Sequence, residues 1–214
     1  MRTTQGGVFD ALIEAAERFG AARLILEDQE RKPLSYRDLI RASFALGRRI
    51  AAMTAPGEHV GLLLPTSAGA VVTFFALQAF GRVPTMLNFT SGARNLKGAI
   101  EVAGVKIVLT SRRFIAQARL EELAGELESV CRLVYLEDIR RKIGPLDRLY
   151  ALVAGASPKR FRKPVNPDDV GVVLFTSGSF AAPRGVVLSQ GNLVSNARQV
   201  ASHIELDTDW VFFN

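Results

Sequence analysis

Sulfur and imidazole are scarce in this sequence. Cys131 is the sole cysteine, so no disulfide can close within the chain and no multi-cysteine metal cage can form. Two histidines, His59 and His203, argue against a zinc site built from several imidazoles. No low-complexity tract and no internal repeat is present. Charged residues make up 22% and hydrophobic residues 48%, which excludes disordered, collagen-like and disulfide-scaffold classes. The opening Met1-Arg-Thr-Thr-Gln-Gly-Gly starts no apolar run. No signal peptide is expected, and a reducing cytoplasm is the expected compartment.

Long hydrophobic runs are also lacking, with one exception that needs a membrane test. No charged residue occurs between Val60 and Gly81. Pro65-Thr66-Ser67 breaks that run after a short strand-like segment, Val60–Leu64. The stretch from Ser67 to Phe80 predicts a helix of only ~20 Å, too short for a bilayer. Ser67 suits its N-cap and Gly81 its C-cap. A strand feeding a helix apolar on most sides predicts a buried α/β core, not a transmembrane span.

What is present is 214 residues, enough for one sizeable domain, with net charge +6. The 27 basic residues are spread along the chain, and the dense cluster is Lys159-Arg160-Phe161-Arg162-Lys163. Such spreading speaks against nucleic-acid binding. The cluster reads as a solvated connector or, more sharply, as a contact for anionic lipid or an acidic carrier protein.

Strand and helix patterns alternate. Helical spacing runs over 8–19, over 35–52 with Leu39, Ala42, Leu46 and Ile50 apolar, and over 67–80, 91–103, 120–127 and 189–204. Two short helical pieces are expected between 138 and 154. Strands are expected at 23–27, 60–64, 83–87, 106–110, 133–136, 171–175 and 185–188. This alternation implies an α/β fold class, a mostly parallel sheet with helices on both faces. Residues 56–204 form the expected main subdomain. The final Trp210-Val-Phe-Phe resembles the start of a buried strand, so the chain is expected to be the N-terminal portion of something longer. On that view 1–55 and 205–214 pack with the missing part. Leu39, Leu46, Trp210 and Phe212 are then expected to be exposed and to promote dimerisation.

The segment richest in chemistry is Val173-Leu-Phe-Thr-Ser-Gly-Ser-Phe-Ala-Ala-Pro-Arg-Gly185. An apolar strand runs into hydroxyls, a glycine and a cation, then into a second strand. Backbone N–H groups with Thr176, Ser177 and Ser179 can surround phosphate oxygens, and Arg184 can add a charge-assisted bond. A ligand-free polar hairpin is the alternative. A Walker A loop is excluded, because Pro183, Arg184 and Gly185 stand where that pattern needs Gly, Lys and Ser/Thr.

Phe175-Thr-Ser-Gly-Ser-x-x-x-Pro-Arg-Gly-Val resembles the phosphate-binding loop of the adenylate-forming superfamily, which includes acyl-CoA synthetases and luciferases. Val186–Leu193, Leu34–Leu39, Gly57–Pro65 and Gly81–Asn88 resemble further segments of that family, in order along the chain. Within it, Pro84–Gly92 and Val105–Arg112 are most similar to the acyl-[acyl-carrier-protein] synthetase half of a bifunctional 2-acylglycerophosphoethanolamine acyltransferase. The resemblance implies the N-terminal part of an adenylating enzyme's large domain. It implies activation of a fatty acid with ATP and Mg²⁺, then thioester formation on carrier protein or CoA, in a parent protein that could associate with the inner membrane. It places Thr176, Ser177, Gly178, Ser179, Arg184 and Gly185 on the phosphates and no catalytic residue within this chain. A binding module that docks an acidic carrier or an anionic membrane is the alternative function. Phe180, Ala181, Arg184 and Gln190 depart from the family's Thr/Glu, Gly, Lys and His.

Overall fold

The computed structural model describes residues 6–28, 32–176 and 183–203. In chain order these form α1 (Val8–Phe19), β1 (Leu24–Leu26), β2 (Leu34–Ser35), α2 (Tyr36–Ala51), β3 (His59–Leu62), α3 (Ala68–Ala79), β4 (Val83–Met86), a 3₁₀ turn (Phe89–Ser91), α4 (Ala93–Val102) and β5 (Ile107–Thr110). They continue as α5 (Arg112–Gln117), α6 (Glu121–Leu127), β6 (Arg132–Tyr135), α7 (Leu136–Lys142), α8 (Pro145–Ala156), α9 (Pro158–Phe161), β7 (Val170–Thr176), β8 (Arg184–Ser189) and α10 (Gln190–His203).

Six strands make one sheet in the order β6-β5-β3-β4-β7-β8, parallel throughout except for the antiparallel β7–β8 pair. Strand alternation divides the core into two. Val60, Leu62, Ile107 and Leu109 face α1, α2, α3 and α8. Leu63 and Val108, the intervening positions, face α4, α5 and α6. From β3 the chain steps to β4, then back past β3 to β5. Right-handed crossovers in opposite directions place α3 on one face and α4 on the other. The expected architecture, helices on both faces of a mostly parallel sheet, is the one observed.

Buried strands here read as near-continuous apolar runs, yet β4 contains Pro84. Val83 N, just before it, and Leu87 N, just past the strand, donate to Glu58 O and Leu62 O on the β3 side. Odd positions thus donate toward β3, and Pro84, at an even one, turns its backbone nitrogen toward β7, where β4 pairs through Thr85 and Val173. The missing donor therefore costs no bond to β3.

Helix ends obey local chemistry. Ser35 Oγ accepts from Asp38 N, and the Asp38 carboxylate accepts from Ser35 N, which makes a reciprocal cap. Ser67 caps α3 through Ala70 N. At the other end of α3, Gly81 takes φ +65°, Gly81 N donates to Gln78 O, and Arg82 N donates to Leu77 O. This Schellman arrangement needs a residue at ease with positive φ.

One expectation is corrected. Leu39 and Leu46 are 2% and 5% exposed, in a core with Phe9, Ile13, Phe44 and Ile50. Helices α1 and α2 bury their apolar faces against α3 and α8 of this same chain, so they present no such faces to solvent. Trp210 and Phe212 lie outside the described residues.

An ion pair locks α8 onto α2. Asp147 is 2% exposed, accepts from Gly144 N at 2.9 Å and from Arg49 Nε at 2.9 Å, and lies 3.6 Å from Arg48 Nε. Burial pushes its carboxyl pKa up, but the Gly144 N–H and the two guanidiniums outweigh that and hold it below the usual value. A depressed carboxylate contributes stability that is present above the unfolded-state pKa and is lost as pH falls through the folded-state one. Stability should therefore fall below about pH 4. Asp147→Asn should be less stable at neutral pH and should show a flatter acid limb in urea titrations across pH. An unchanged acid limb would show that other carboxylates set it.

Candidate phosphate-binding site

Ligands of open α/β sheets bind outside the carboxyl ends of the strands, where successive crossovers diverge to opposite faces. Here that edge lies beyond Leu62 of β3 and Met86 of β4. Strand β7 lies beside β4 and parallel to it, so Thr176 leaves the sheet at the same edge. Strand β8 returns antiparallel, with Thr176 opposite Arg184 and Phe175 opposite Gly185.

Strand β7 passes from buried Gly171, Val172 and Val173 to exposed Leu174 and Thr176. Arg184 and Gly185 are exposed at the start of β8. The hairpin thus carries a hydroxyl and a guanidinium as cross-strand neighbours at its open end. That pair suits phosphate oxygens, because Thr donates one hydrogen bond and Arg a charge-assisted pair. A side chain at Gly185 would bring its Cβ to 3.3 Å from Phe175 Cε1 and 3.5 Å from Val173 Cγ1. Glycine there leaves room for the Phe175 ring across the hairpin. The returning leg rests on α4, where a Cβ on Gly98 would lie 3.1 Å from Pro183 Cγ. Ser177, Gly178 and Ser179, with Phe180 and Ala181, lie outside the described residues.

A cleft of about 360 Å³ opens at the opposite edge, among His59, Arg82, Val83, Lys163, Asp169 and Gln190 at the amino ends of the strands. Its buried polar groups serve the fold. His59 Nδ1 contacts Ala103 O at 2.9 Å. Arg82 bonds Thr54, Phe80 and Ala51. Gln190, 2% exposed, accepts from Val8 N at 2.9 Å and donates to Gln78 Oε1 at 2.8 Å. Gln78 in turn donates to Gly171 O at 2.6 Å. This chain of amides ties α1, α3, β7 and α10 together. Sequence reasoning marks Gln190 only as a departure from a family histidine. A usable signal is Gln78: of the two polar side chains in an otherwise apolar helix, Thr73 can satisfy itself on the Gly69 carbonyl one turn back, whereas the longer amide demands a buried partner elsewhere.

Cys131 is core, as expected. Its Sγ donates to Leu127 O at 3.3 Å, and burial pushes its thiol pKa up to about 11. Alkylation by iodoacetamide at pH 8 should be slow in the folded protein and fast in urea; rapid reaction without denaturant would contradict this burial. The cluster at 159–163 is partly tied down: Lys159 pairs with Glu17 at 2.7 Å, and Arg162 pairs with Asp10. His203 stands exposed at the end of α10, with Nδ1 2.8 Å from Gln199 O. Among the described residues no helix is long and apolar enough to cross a membrane, and no group of three or more His, Cys, Asp or Glu could hold a metal ion.

The AMP-binding enzyme family matches residues 12–213, which includes the sheet, the hairpin and both core layers. The chain belongs to the AMP-binding enzyme family. It is 31% identical over 178 residues to a feruloyl-CoA synthase of Amycolatopsis sp, covering 82% of this chain and 32% of that protein. It is 24% identical over 220 residues to the medium-chain-fatty-acid–[acyl-carrier-protein] ligase TtuA of Teredinibacter turnerae, covering 89% of this chain and 34% of that one. Its fold matches o-succinylbenzoate CoA synthetase (MenE) of Bacillus subtilis, solved in complex with an acyl-adenylate intermediate. The TM-score is 0.71 and the identity 17%, over 96% of this chain and 48% of that one. The chain thus spans about a third of the length of these curated relatives.

Proposed function

We propose that the whole protein activates a carboxylic acid in two steps. A carboxylate oxygen attacks the α-phosphorus of ATP and pyrophosphate leaves, giving an acyl-adenylate. A thiolate sulfur then attacks the acyl carbon and AMP leaves, giving a thioester. The observation that carries this reading is the β7–β8 hairpin, which sets Thr176 opposite Arg184 at the carboxyl edge of a parallel sheet.

Thr176, Ser177, Gly178, Ser179, Arg184 and Gly185 hold the β- and γ-phosphates in this proposal. Their work is orientation and charge neutralisation: the leaving pyrophosphate gains negative charge, and a fixed guanidinium stabilises that charge as it develops. Mg²⁺ would supply further charge neutralisation at the phosphates, and among the residues assigned to them the hydroxyl oxygens of Thr176, Ser177 and Ser179 are the donors such a hard cation would use. The hydroxyl and guanidinium donor set fits a polyphosphate.

A fatty acid is the substrate class we assign, and carrier protein or CoA the acceptor. The likeness of Pro84–Gly92 and Val105–Arg112 to an acyl-carrier-protein synthetase branch supports this, as does the name of TtuA. Both segments contain a carboxyl end of a central strand, β4 or β5. Aromatic acids are the competing class, on the name of the feruloyl-CoA synthase.

Pyrophosphate–ATP exchange by the whole protein over a panel of fatty and cinnamic acids tests this reading. Exchange dependent on a fatty acid is expected; exchange only with cinnamic acids would move the substrate class, and none with any acid would remove the activity. The 214-residue chain by itself should bind Mg-ATP no more tightly than about 1 mM, roughly −4 kcal/mol, because exposed charge contacts contribute only ~0–1 kcal/mol each. Calorimetry that returns a micromolar constant would show a hairpin already organised for phosphate.

A further inference from the structure

Helix α8 carries its apolar side chains on the wrong side for a core. Leu146 is 73% exposed, Leu149 58%, Leu152 49% and Val153 50%. Leu146, Leu149 and Val153 match the i, i+3, i+7 spacing of one helical face. The opposite face, through Ala151 and Ala154, is buried against α2 and its neighbours. Leucine and valine in water on one face of a helix call for an apolar phase.

The surroundings say which one. From Ile139 to Lys163 the sequence holds eight Lys or Arg and a single acidic residue, Asp147. That carboxylate is buried and paired with Arg49, so between Ile139 and Lys163 none reaches solvent; Asp138, one residue earlier, is held by Arg112 at 2.7 Å and lies 3.7 Å from Arg141. Exposed Arg140, Arg141 and Lys142 precede α8, and exposed Arg160 comes after it, beside Lys159, which is exposed but shared with Glu17. Alongside, Arg48 of α2 donates to Leu146 O at 3.2 Å and stacks 4.9 Å from the Tyr150 ring centroid.

We propose that α8 is an interfacial helix that seats this protein on an anionic lipid bilayer. Leu146, Leu149, Leu152 and Val153 enter the headgroup–acyl boundary while the flanking arginines and lysines meet lipid phosphates. A leucine-bearing face with Lys and Arg at its borders has the composition such helices use. A second copy of the chain fits poorly, since a two-fold contact on this face would set its basic flanks against each other. The inference does not rest on the adenylation reading, because α8 contributes nothing to the hairpin.

Co-sedimentation of the 214-residue chain with vesicles decides it, using phosphatidylcholine alone or mixed with phosphatidylglycerol. Binding is expected only to the mixed vesicles, and added salt should weaken it. Leu149→Asp with Val153→Asp should lower partitioning about tenfold or more, with the thermal transition unchanged because both positions are exposed. Arg148 is exposed on α8 itself, and Arg148→Gln with Arg160→Gln should also lower it about tenfold, by loss of charge alone. Absence of binding to the mixed vesicles would overturn the proposal. So would undiminished binding by the Asp variant, or a dimer in sedimentation velocity that this variant dissolves.

Discussion

Arg82→Met should lower the stability of the chain by about 3–5 kcal/mol, among the largest losses open to a single substitution here. Arg82 is 7% exposed, and its partners are carbonyls and a hydroxyl rather than a carboxylate in direct contact. Its guanidinium fork gathers the loose ends of two helices. Nε donates to Thr54 Oγ1 at 3.1 Å, Nη2 to Ala51 O at 3.2 Å and to Thr54 O, and Nη1 to Phe80 O. Ala51 ends α2, and Phe80 caps α3. Their final carbonyls have no intrahelical partner and carry the negative end of each helix dipole, so a cation there is doubly suited. Burial pulls the guanidinium pKa down, and nearby Glu58 pushes it up. Methionine would fill the space and leave the carbonyls orphaned, at roughly 1–3 kcal/mol each where no water reaches them. At about 2–4 °C per kcal/mol for a chain of this size, the transition should drop by roughly 10 °C. Lysine keeps the charge but not the fork, so Arg82→Lys should recover only part of the loss. A scanning-calorimetry shift for Arg82→Met of no more than about 2–3 °C from wild type would show that water substitutes for the fork.

Gln190→Ala should cost about 2–4 kcal/mol, by a different route. The loss strands Val8 N, the first donor of α1, and Gln78 Oε1 inside the molecule. Gln78→Ala alone should cost a similar amount, because Gly171 O and Gln190 Nε2 then lose their partners. The double variant should cost clearly less than the two singles together, since each single already abolishes the amide–amide bond. Additive losses in urea titrations would mean that the two amides act independently. Gly7 shows how closely the site is built: a Cβ there would come within 2.6 Å of Gln190 Oε1. Substitution at Gly7 should therefore disturb the same junction from the other side.

The main strands, the longer helices and the Ser35 and Ser67 caps were legible because each is written locally. Short, nearly continuous apolar runs in 60–64 and 106–110 mark central parallel strands, and a serine before an apolar run marks a helix start. Helix α5 was not legible, since Arg112–Gln117 is too short to show a helical period. Strand β2, two residues long, shows no alternation at all. The roles of Arg82 and Gln190 escaped for another reason. Thr54 lies 28 residues from Arg82, and Gln78 lies 112 from Gln190, so only the fold brings these partners together. The exposure expected for Leu39 and Leu46 failed on the same ground. Their periodicity requires a partner, but which part of the chain supplies it is a tertiary fact. For the candidate site, the sequence pattern placed Thr176 and Arg184 on a strand–loop–strand, and the ladder pairs them. Why Gly185 is small became apparent only with the Phe175 ring in place.

The most direct test of the central claim traces an oxygen atom. If the whole protein adenylates its acid, a substrate labelled with ¹⁸O in the carboxylate must pass one labelled oxygen to AMP when the thiol displaces it. Mass spectrometry of AMP after turnover should show that single label, and Arg184→Ala should slow its appearance by about a hundredfold through loss of a phosphate-holding cation. Label in inorganic phosphate, with ADP as the nucleotide product, would mean attack on the γ-phosphorus and would contradict the account.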